Sequence, residues 1–160
     1  AILVPYRTLY RYDALEQGEG DWEAPSAIEA PETFEWAGFT VGMQTCYDIR
    51  FPEMTRRLVD AGADLVLVPS EWVRGPLKEH HWRTLLTARA LENTIYLAAA
   101  DHAPPIGVGN STIIDPMGVA LATIGEETGI AVADVNLARI AEVRTVNPAL
   151  ALRRFAVVAR

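Results

Sequence analysis

Residues 41–53 read VGMQTCYDIRFPE. An apolar run of strand character leads to Cys46, the only cysteine in the chain, and Pro52 is a residue type that suits the first turn of a helix. A cysteine between a strand and a helix is held by the backbone with its sulfur in a cleft, as acyl-transfer nucleophiles are. A buried core cysteine is the alternative, because free cysteine is among the most buried residue types. The local pattern leaves both interpretations open.

The sequence on either side predicts alternating strands and helices. Apolar runs bounded by glycine and proline are typical of strands, and apolar residues at a spacing of three and four are typical of helices. A strand, a helix and a second strand follow one another around Cys46, which indicates a βαβ unit. The predicted elements are a hairpin over 34–43, a helix from 52 to a cap at Gly62, a strand over 65–68, a helix over 79–93, a strand over 95–100, a hairpin over 111–123, a strand over 130–135 and a helix over 136–144.

The longest helical pattern, residues 79–93, has an apolar stripe that predicts its buried face. The stripe comprises Trp82, Leu85, Leu86, Ala90 and Leu91. Arg89 and Glu92 lie three residues apart in the same pattern, and we interpret them as an ion pair on the exposed face. The helix is therefore expected to pack through the stripe and to leave this pair in solvent.

Composition limits the classes of protein to which the chain can belong. The length of 160 residues predicts a single domain, 1–160. The net charge of −7 argues against a nucleic-acid partner, because such partners are bound through positive charge. No apolar run approaches the roughly 18 residues of a membrane span, so no membrane partner is expected. A single cysteine excludes an internal disulfide and favours the cytoplasm. Lys78 is the only lysine, and the other thirteen of the fourteen basic residues are arginine.

A cysteine nucleophile needs a base, and the sequence offers two kinds. The histidines are His80, His81 and His102, so a papain-like Cys–His pair is possible. The acidic loop over 13–33 offers carboxylates instead. No metal site is predicted because the zinc-ligand spacings are missing, and no cofactor is predicted because the glycines near residue 108 lack the rest of a dinucleotide-binding fingerprint.

Residues 46–53, CYDIRFPE, resemble the nucleophile motif of the nitrilase superfamily, the carbon–nitrogen hydrolases. Within that family the motif is most similar to the small-amide and omega-amidase-like branch. Further segments resemble the family in the same order and at fitting spacing. They are GAD at 62–64, VPSEW at 68–72, HW at 81–82, ARALEN at 88–93, GNS at 109–111, DPMG at 115–118, and Val143-Arg144, Pro148 and Arg153-Arg154 near the end.

The resemblance implies an α+β fold, the four-layered α-β-β-α sandwich of the nitrilases. The chain would be the C-terminal part of that sandwich, without the N-terminal half. Half a sandwich would leave one face of its sheet uncovered. The resemblance also implies a homodimer or a higher homo-oligomer, with residues 147–160 forming a C-terminal arm at the subunit interface.

The resemblance implies hydrolysis of a small non-peptide amide, without a cofactor, through a thioester on Cys46. The backbone N–H of Tyr47 would donate to the oxyanion, and Glu19 would be the supporting glutamate. Glu71 and Trp72 would line the substrate pocket. A tryptophan after a buried strand is a core residue at least as often, so Trp72 has both interpretations.

The chain departs from the family pattern at two places. Thr8 stands in the position of the family's catalytic lysine, and the first glutamate belongs to the N-terminal half. Loss of one oxyanion donor costs about 3–4 kcal/mol. Lys78 lies far downstream, before the long helix. The alternative hypothesis is a degenerate nitrilase-like protein with an interaction or structural role.

Overall fold

The computed structural model describes residues 30, 31 and 33–159, which form one six-stranded sheet with helices on both faces. The strands are β1 Thr33–Trp36, β2 Phe39–Met43, β3 Leu65–Ser70, β4 Tyr96–Asp101, β5 Thr112–Ile114 and β6 Ala120–Thr123. The helices are α1 Pro52–Asp60, α2 Lys78–Asn93 and α3 Leu137–Val146, and a short 3-10 helix spans Cys46–Arg50. The strands lie in the sheet in the order in which they occur in the chain.

The sheet is mixed, with a parallel centre and antiparallel edges. Strands β2, β3 and β4 are parallel and are joined by α1 and α2, while β1–β2 and β4–β5–β6 pair in antiparallel fashion. The first hairpin turns through Ala37 and Gly38, both with positive φ. Both predicted hairpins, the βαβ unit and the helix that begins at Pro52 are confirmed.

The two faces of the sheet are covered differently. Val66 and Val68 face the side on which α1 and α2 pack, and they belong to a buried cluster with Leu58, Trp82 and Leu86. Alternate residues along the same strands point to the other side, where Ile140 of α3 packs. That second cluster comprises Phe39, Val41, Leu65, Tyr96 and Ile140.

Helix α3 covers only part of the second face. Beyond it lies an apolar groove of about 520 Å³ along β2 to β5. Its lining includes Met43, Leu67, Pro69, Ala98 and Ile113. Cys46 is not among the lining residues, so the groove and the predicted catalytic site are different places.

Two predictions from apolar patterns are wrong. Residues 130–135 form no strand: Ile130 and Val132 are 89% and 80% exposed, and the chain leaves the sheet after β6. An apolar run becomes a strand only beside a pairing partner, and none pairs with this segment in the described part of the chain. Leu91, assigned to the buried stripe of α2, is 41% exposed because the stripe turns away from it after Ala90.

The end of the described chain is exposed. Asn136 caps α3 by accepting a hydrogen bond from the backbone N–H of Arg139 at 2.8 Å, as predicted. After α3 the segment carries Phe155, which is 92% exposed, and an ion pair between Arg153 and Asp60 at 2.6 Å.

Within the described ranges, no helix has the length and apolar character needed to cross a membrane.

Candidate active site

The parallel strands bring the predicted site residues to one edge of the sheet. Strands that run in the same direction end at the same edge, and residues after those ends therefore meet. Cys46 follows β2, Glu71 and Trp72 follow β3, and Asp101 is the last residue of β4. The structure thus gathers residues that are distant in the sequence.

Cys46 occupies a sharp turn. Its φ of 45° lies in the left-handed region, which costs about 1–2 kcal/mol for a residue with a Cβ. Such strain persists where the surrounding structure enforces it, and it occurs preferentially at active sites. The side chain is partly buried, and Sγ donates to the carbonyl oxygen of Glu71 at 3.6 Å. Cys46 thus lies between a strand and a helix, as predicted.

The turn is fixed from within by short-range hydrogen bonds. The backbone N–H of Gln44 donates to the Leu67 carbonyl at 3.0 Å, which extends the β2–β3 ladder to the turn. Asp48 is fully buried and accepts a hydrogen bond from the Thr45 N–H at 3.2 Å. Gly42 allows α1 to approach, since a Cβ there would lie 3.0–3.3 Å from the side chain of Leu58.

Arg89 fixes the turn from behind, and sequence reasoning missed this role. Its Nε donates to the carbonyl of Ile49 at 3.1 Å and its Nη2 to the carbonyl of Arg50 at 3.3 Å. The predicted pair with Glu92 exists at 3.1 Å, but the Arg89 side chain is only 7% exposed, so a surface pair was the wrong interpretation. The signal was available, because Arg89 shares the helical stripe of Trp82 and Leu86.

Trp72 is a buried platform beside the thiol. It is 1% exposed, and its Nε1 donates to the carbonyl of Lys78 at 3.0 Å. Two cations lie over its ring: Arg50 Cζ is 4.7 Å and Lys78 Nζ is 4.3 Å from the centroid. Trp82 packs beside it with a centroid distance of 5.3 Å. Trp72 is therefore a core residue, as one of its two interpretations predicts.

Lys78, the first residue of α2, is 6% exposed. Burial lowers the pKa of its ammonium group, and the positive charge of Arg50 lowers it further. The charges of Cys46 and Asp101 act in the opposite direction and favour the ammonium form. The only lysine of the chain is thus electrostatically coupled to its only cysteine.

Asp101 ends β4 at the same edge of the sheet, where the loop to β5 begins. Its carboxylate accepts hydrogen bonds from the backbone N–H groups of Trp72 at 2.6 Å and Val108 at 3.0 Å. Burial raises the pKa of Asp101 to about 6, although the backbone donors oppose that rise. The carboxylate therefore holds together the two loops that follow β3 and β4.

The carboxylate of Glu71 and the histidines make contacts apart from the sulfur. Glu71 Oε1 lies 3.4 Å from Nδ1 of His102, and both side chains are more than half exposed. The rings of His80 and His81 lie 6.2 Å apart at the start of α2. None of these contacts involves Cys46, so they give no support to a papain-like pair.

Of the remaining predicted site residues, Tyr47 lies within the described part of the chain. Tyr47 directly follows Cys46 in the 3-10 helix, and its ring packs edge-on against Phe51 at 5.5 Å. Glu19 and Thr8 lie outside the described residues. Among the residues that the structure describes, no group of three or more histidine, cysteine or acidic side chains could hold a metal ion.

The family model for carbon–nitrogen hydrolases matches residues 9–145. The chain therefore belongs to the carbon–nitrogen hydrolase family. It is 43% identical to the deaminated glutathione amidase of Escherichia coli O157:H7 over 155 residues, 97% of this chain and 59% of that enzyme. It is 30% identical to an omega-amidase of Mus musculus over an alignment of 164 positions, gaps included, which covers 96% of this chain and 58% of that enzyme. The chain thus spans somewhat over half the length of these two relatives.

A solved amidase of the nitrilase superfamily, from Nesterenkonia sp. AN1, shares the fold. The TM-score is 0.73 at 32% identity, with 92% of this chain and 56% of that one covered. That structure, of a glutamate-to-glutamine mutant of the amidase, shows covalent addition of the acetamide moiety of fluoroacetamide at its active-site cysteine. The predicted α+β class and nitrilase fold are confirmed.

Proposed function

We propose that the protein is an amidase that hydrolyses a small non-peptide amide through a thioester on Cys46. The observation that carries the proposal is the left-handed conformation of Cys46 at the edge where three parallel strands end. The family supports it, since two relatives are named as amidases and a third protein of the family forms a covalent adduct at its active-site cysteine.

The reaction proceeds in two stages. The Cys46 thiolate attacks the amide carbonyl carbon and forms a tetrahedral oxyanion. The oxyanion collapses with cleavage of the C–N bond, and ammonia leaves after taking up a proton. Water then attacks the thioester and releases the carboxylic acid and the thiol. The backbone N–H of Tyr47 donates to the oxyanion, and Glu19 is the supporting carboxylate.

The substrate pocket lies in front of Cys46, with the Glu71–Trp72 segment on one side. The contact from Sγ to the Glu71 carbonyl supports this placement. The buried ring of Trp72 supports the wall of the pocket, and the exposed Glu71 carboxylate lies at the rim. We expect a small amide as the substrate of this site.

The protein acts as a homodimer in the cytoplasm. Residues 147–160 form the arm that packs on a second copy, and the high exposure of Leu152, Phe155 and Val158 supports this role. The single cysteine supports a reducing compartment. A chain ending at residue 146 is expected to sediment as a monomer, whereas an unchanged dimer would contradict the arm.

The test of the amidase is ammonia release from acetamide and butyramide, measured for the wild-type chain and for Cys46→Ala. We expect release by the wild type and none above background for Cys46→Ala. Thr145→Ala is the control, because its hydroxyl bonds only within α3 and is remote from the turn. Ammonia release that survives Cys46→Ala would contradict the thioester mechanism.

Fluoroacetamide gives a second readout that needs no turnover. The Sγ atom displaces fluoride and forms a thioether, which adds one acetamide moiety per chain to the intact mass. Because Cys46 is the only cysteine, the adduct maps to one site. We expect the same adduct for Thr145→Ala and none for Cys46→Ala.

The alternative is an interaction or structural protein that keeps the fold without the reaction. Thr8 in the lysine position favours it. It predicts no ammonia release by the full-length natural protein and a gain of release in Thr8→Lys of that protein. Full activity of the full-length natural protein with Thr8 in place would count against it.

A further inference from the structure

We propose that Lys78 supplies the positive charge beside the Cys46 thiolate in this chain, a role that the family pattern gives to the residue at position 8. The inference deepens the proposed function, because it concerns the same nucleophile. It makes Lys78 a positioning residue that acts through Cys46.

The first argument is the shared support of the thiol and the ammonium group. Cys46 Sγ donates to the carbonyl of Glu71 at 3.6 Å, and Lys78 Nζ lies 4.3 Å from the ring centroid of the next residue, Trp72. Trp72 in turn donates to the carbonyl of Lys78 at 3.0 Å. The thiol of Cys46 and the ammonium group of Lys78 thus contact two consecutive residues, Glu71 and Trp72, in the loop after β3.

The second argument is the cost of the position. Lys78 is the first residue of α2, where the helix dipole disfavours a cation, and it is buried. Arg50 adds a second cation over the same ring, at 4.7 Å from its centroid. Helix stability does not require a lysine here, and an ammonium group at an exposed position would cost less free energy. Costs of this kind accumulate at functional sites.

The third argument is the choice of lysine itself. All thirteen other basic residues are arginine, which stays charged under all ordinary conditions. A lysine can exchange its proton when its surroundings change, and it is a compact point charge suited to a sulfur anion. The chain uses this residue type once, over the ring of the residue that follows the hydrogen-bond partner of its only cysteine.

Several described charged groups surround the thiol and the ammonium group. Arg50 comes from the 3-10 helix and Asp101 from β4. Asp48 is bound to the Thr45 N–H within the turn. Glu71 and His102 pair with each other at the rim. Of these, Asp101 shares with Cys46 the effect of favouring the charged form of Lys78, so its contribution must be separated from that of the thiol.

The first test is a direct titration of Lys78. Lysine labelled with ¹³C at Cε gives a single NMR signal in this 160-residue chain, and its midpoint can be followed with pH in the wild type and in Cys46→Ala. We expect a lower midpoint in Cys46→Ala, because the thiolate that favours the ammonium form is gone. Asp60→Asn, which removes a carboxylate at the far end of α1, is the control and leaves the midpoint unchanged. Equal midpoints in the wild type and Cys46→Ala would overturn the proposal.

The second test is the rate of Cys46 alkylation by iodoacetamide at pH 7. Removal of a nearby positive charge disfavours the thiolate, so we expect Lys78→Met to react about tenfold more slowly than the wild type. Lys78→Arg restores most of the rate, because it restores the charge. Arg74→Met removes a half-exposed cation from the same loop and leaves the rate unchanged. Equal rates for Lys78→Met and Arg74→Met would overturn the proposal.

Neither readout requires turnover of an amide. If the chain releases no ammonia but the coupling of Lys78 to Cys46 is present, the amidase proposal fails and the Lys78 proposal stands. If ammonia is released and the coupling is absent, only the Lys78 proposal fails.

Discussion

Helix α2 has a buried cation near each end, and the two cations serve the same turn in different ways. Arg89, four residues before the C-terminal end of the helix, donates to the carbonyls of Ile49 and Arg50 behind Cys46. Lys78, the first residue, lies over the ring of Trp72. One cation holds the backbone of the turn, and the other is coupled to the charge of the thiol.

The difference follows from the chemistry of the two side chains. A guanidinium is planar and presents several donors, so it can bind two carbonyls and a carboxylate at once. An ammonium group is a point charge on a flexible stem and is stabilised over an aromatic ring. Arginine therefore suits a fixed scaffold, and lysine suits a site where protonation matters. Arg89→Met and Lys78→Met test this division directly, whereas Asp101→Asn and Cys46→Gly test the loop and the turn beside the two cations.

Arg89→Met is expected to destabilise the protein by about 3 kcal/mol, because it leaves two buried carbonyl groups without their donor. Chemical denaturation measures the change in the free energy of unfolding. Glu92→Gln is the matched control, since it removes only the partly exposed partner of Arg89 and should cost less than 1 kcal/mol. A loss of similar size in the control would show that the ion pair, and not the carbonyl contacts, is responsible.

Asp101→Asn is expected to change how stability depends on pH. The pKa of Asp101 is raised from 3.8 to about 6 in the folded protein, so the folded state holds its proton more tightly than the unfolded state. This carboxyl group therefore lowers the free energy of unfolding as the pH rises from about 4 to about 6. Asp101→Asn removes that component, and its stability relative to the wild type should increase over this range.

Urea denaturation at several pH values between 4 and 7 measures the Asp101 effect. Asp60→Asn serves as the control, because it removes an exposed carboxylate that pairs with Arg153. A stability difference between Asp101→Asn and the wild type that is constant with pH would contradict the prediction.

The sequence was sufficient for the turn that presents Cys46 and for most elements around it. The reason is that the signals are local: an apolar strand, a single cysteine and Pro52 lie within a dozen residues. The βαβ order then places the ends of β2, β3 and β4 at one edge without further information. The structure places Cys46 between a strand and a helix, as the local pattern predicts.

The contacts of Arg89 and Lys78 could not be found in the same way, although the helical stripe that Arg89 shares with Trp82 and Leu86 indicated its burial. Both act across the βα unit that separates them from Cys46, and a pairing rule for neighbours on a helix assigned Arg89 to Glu92 alone. The predicted strand at 130–135 failed for a related reason, because strand formation depends on a partner that the local pattern does not contain. Long-range contacts decide these three cases.

Cys46→Gly is expected to be more stable than Cys46→Ala by about 0.5–1 kcal/mol. Alanine keeps a Cβ in the left-handed region, whereas glycine adopts it freely, and the greater unfolded-state entropy of glycine offsets part of the gain. Denaturation of the two variants, neither of which has a thiol, isolates the strain from the chemistry. An alanine variant at least as stable as the glycine variant would show that the φ of 45° is not strained in this turn.

Lys78→Met is expected to have the smallest effect on stability, within about 1 kcal/mol at pH 7. The variant loses the cation–π contact, but it no longer buries a charge, and the two changes in free energy have opposite signs. The pKa of Lys78 is lowered in the folded protein, so that cost is fully present at neutral pH and disappears as the pH rises toward 10.5. The stability of Lys78→Met relative to the wild type should therefore decrease between pH 7 and pH 10, as measured by denaturation at both values. A loss at pH 7 as large as that of Arg89→Met would break the division between the two cations, because it would make Lys78 a second structural support of the turn.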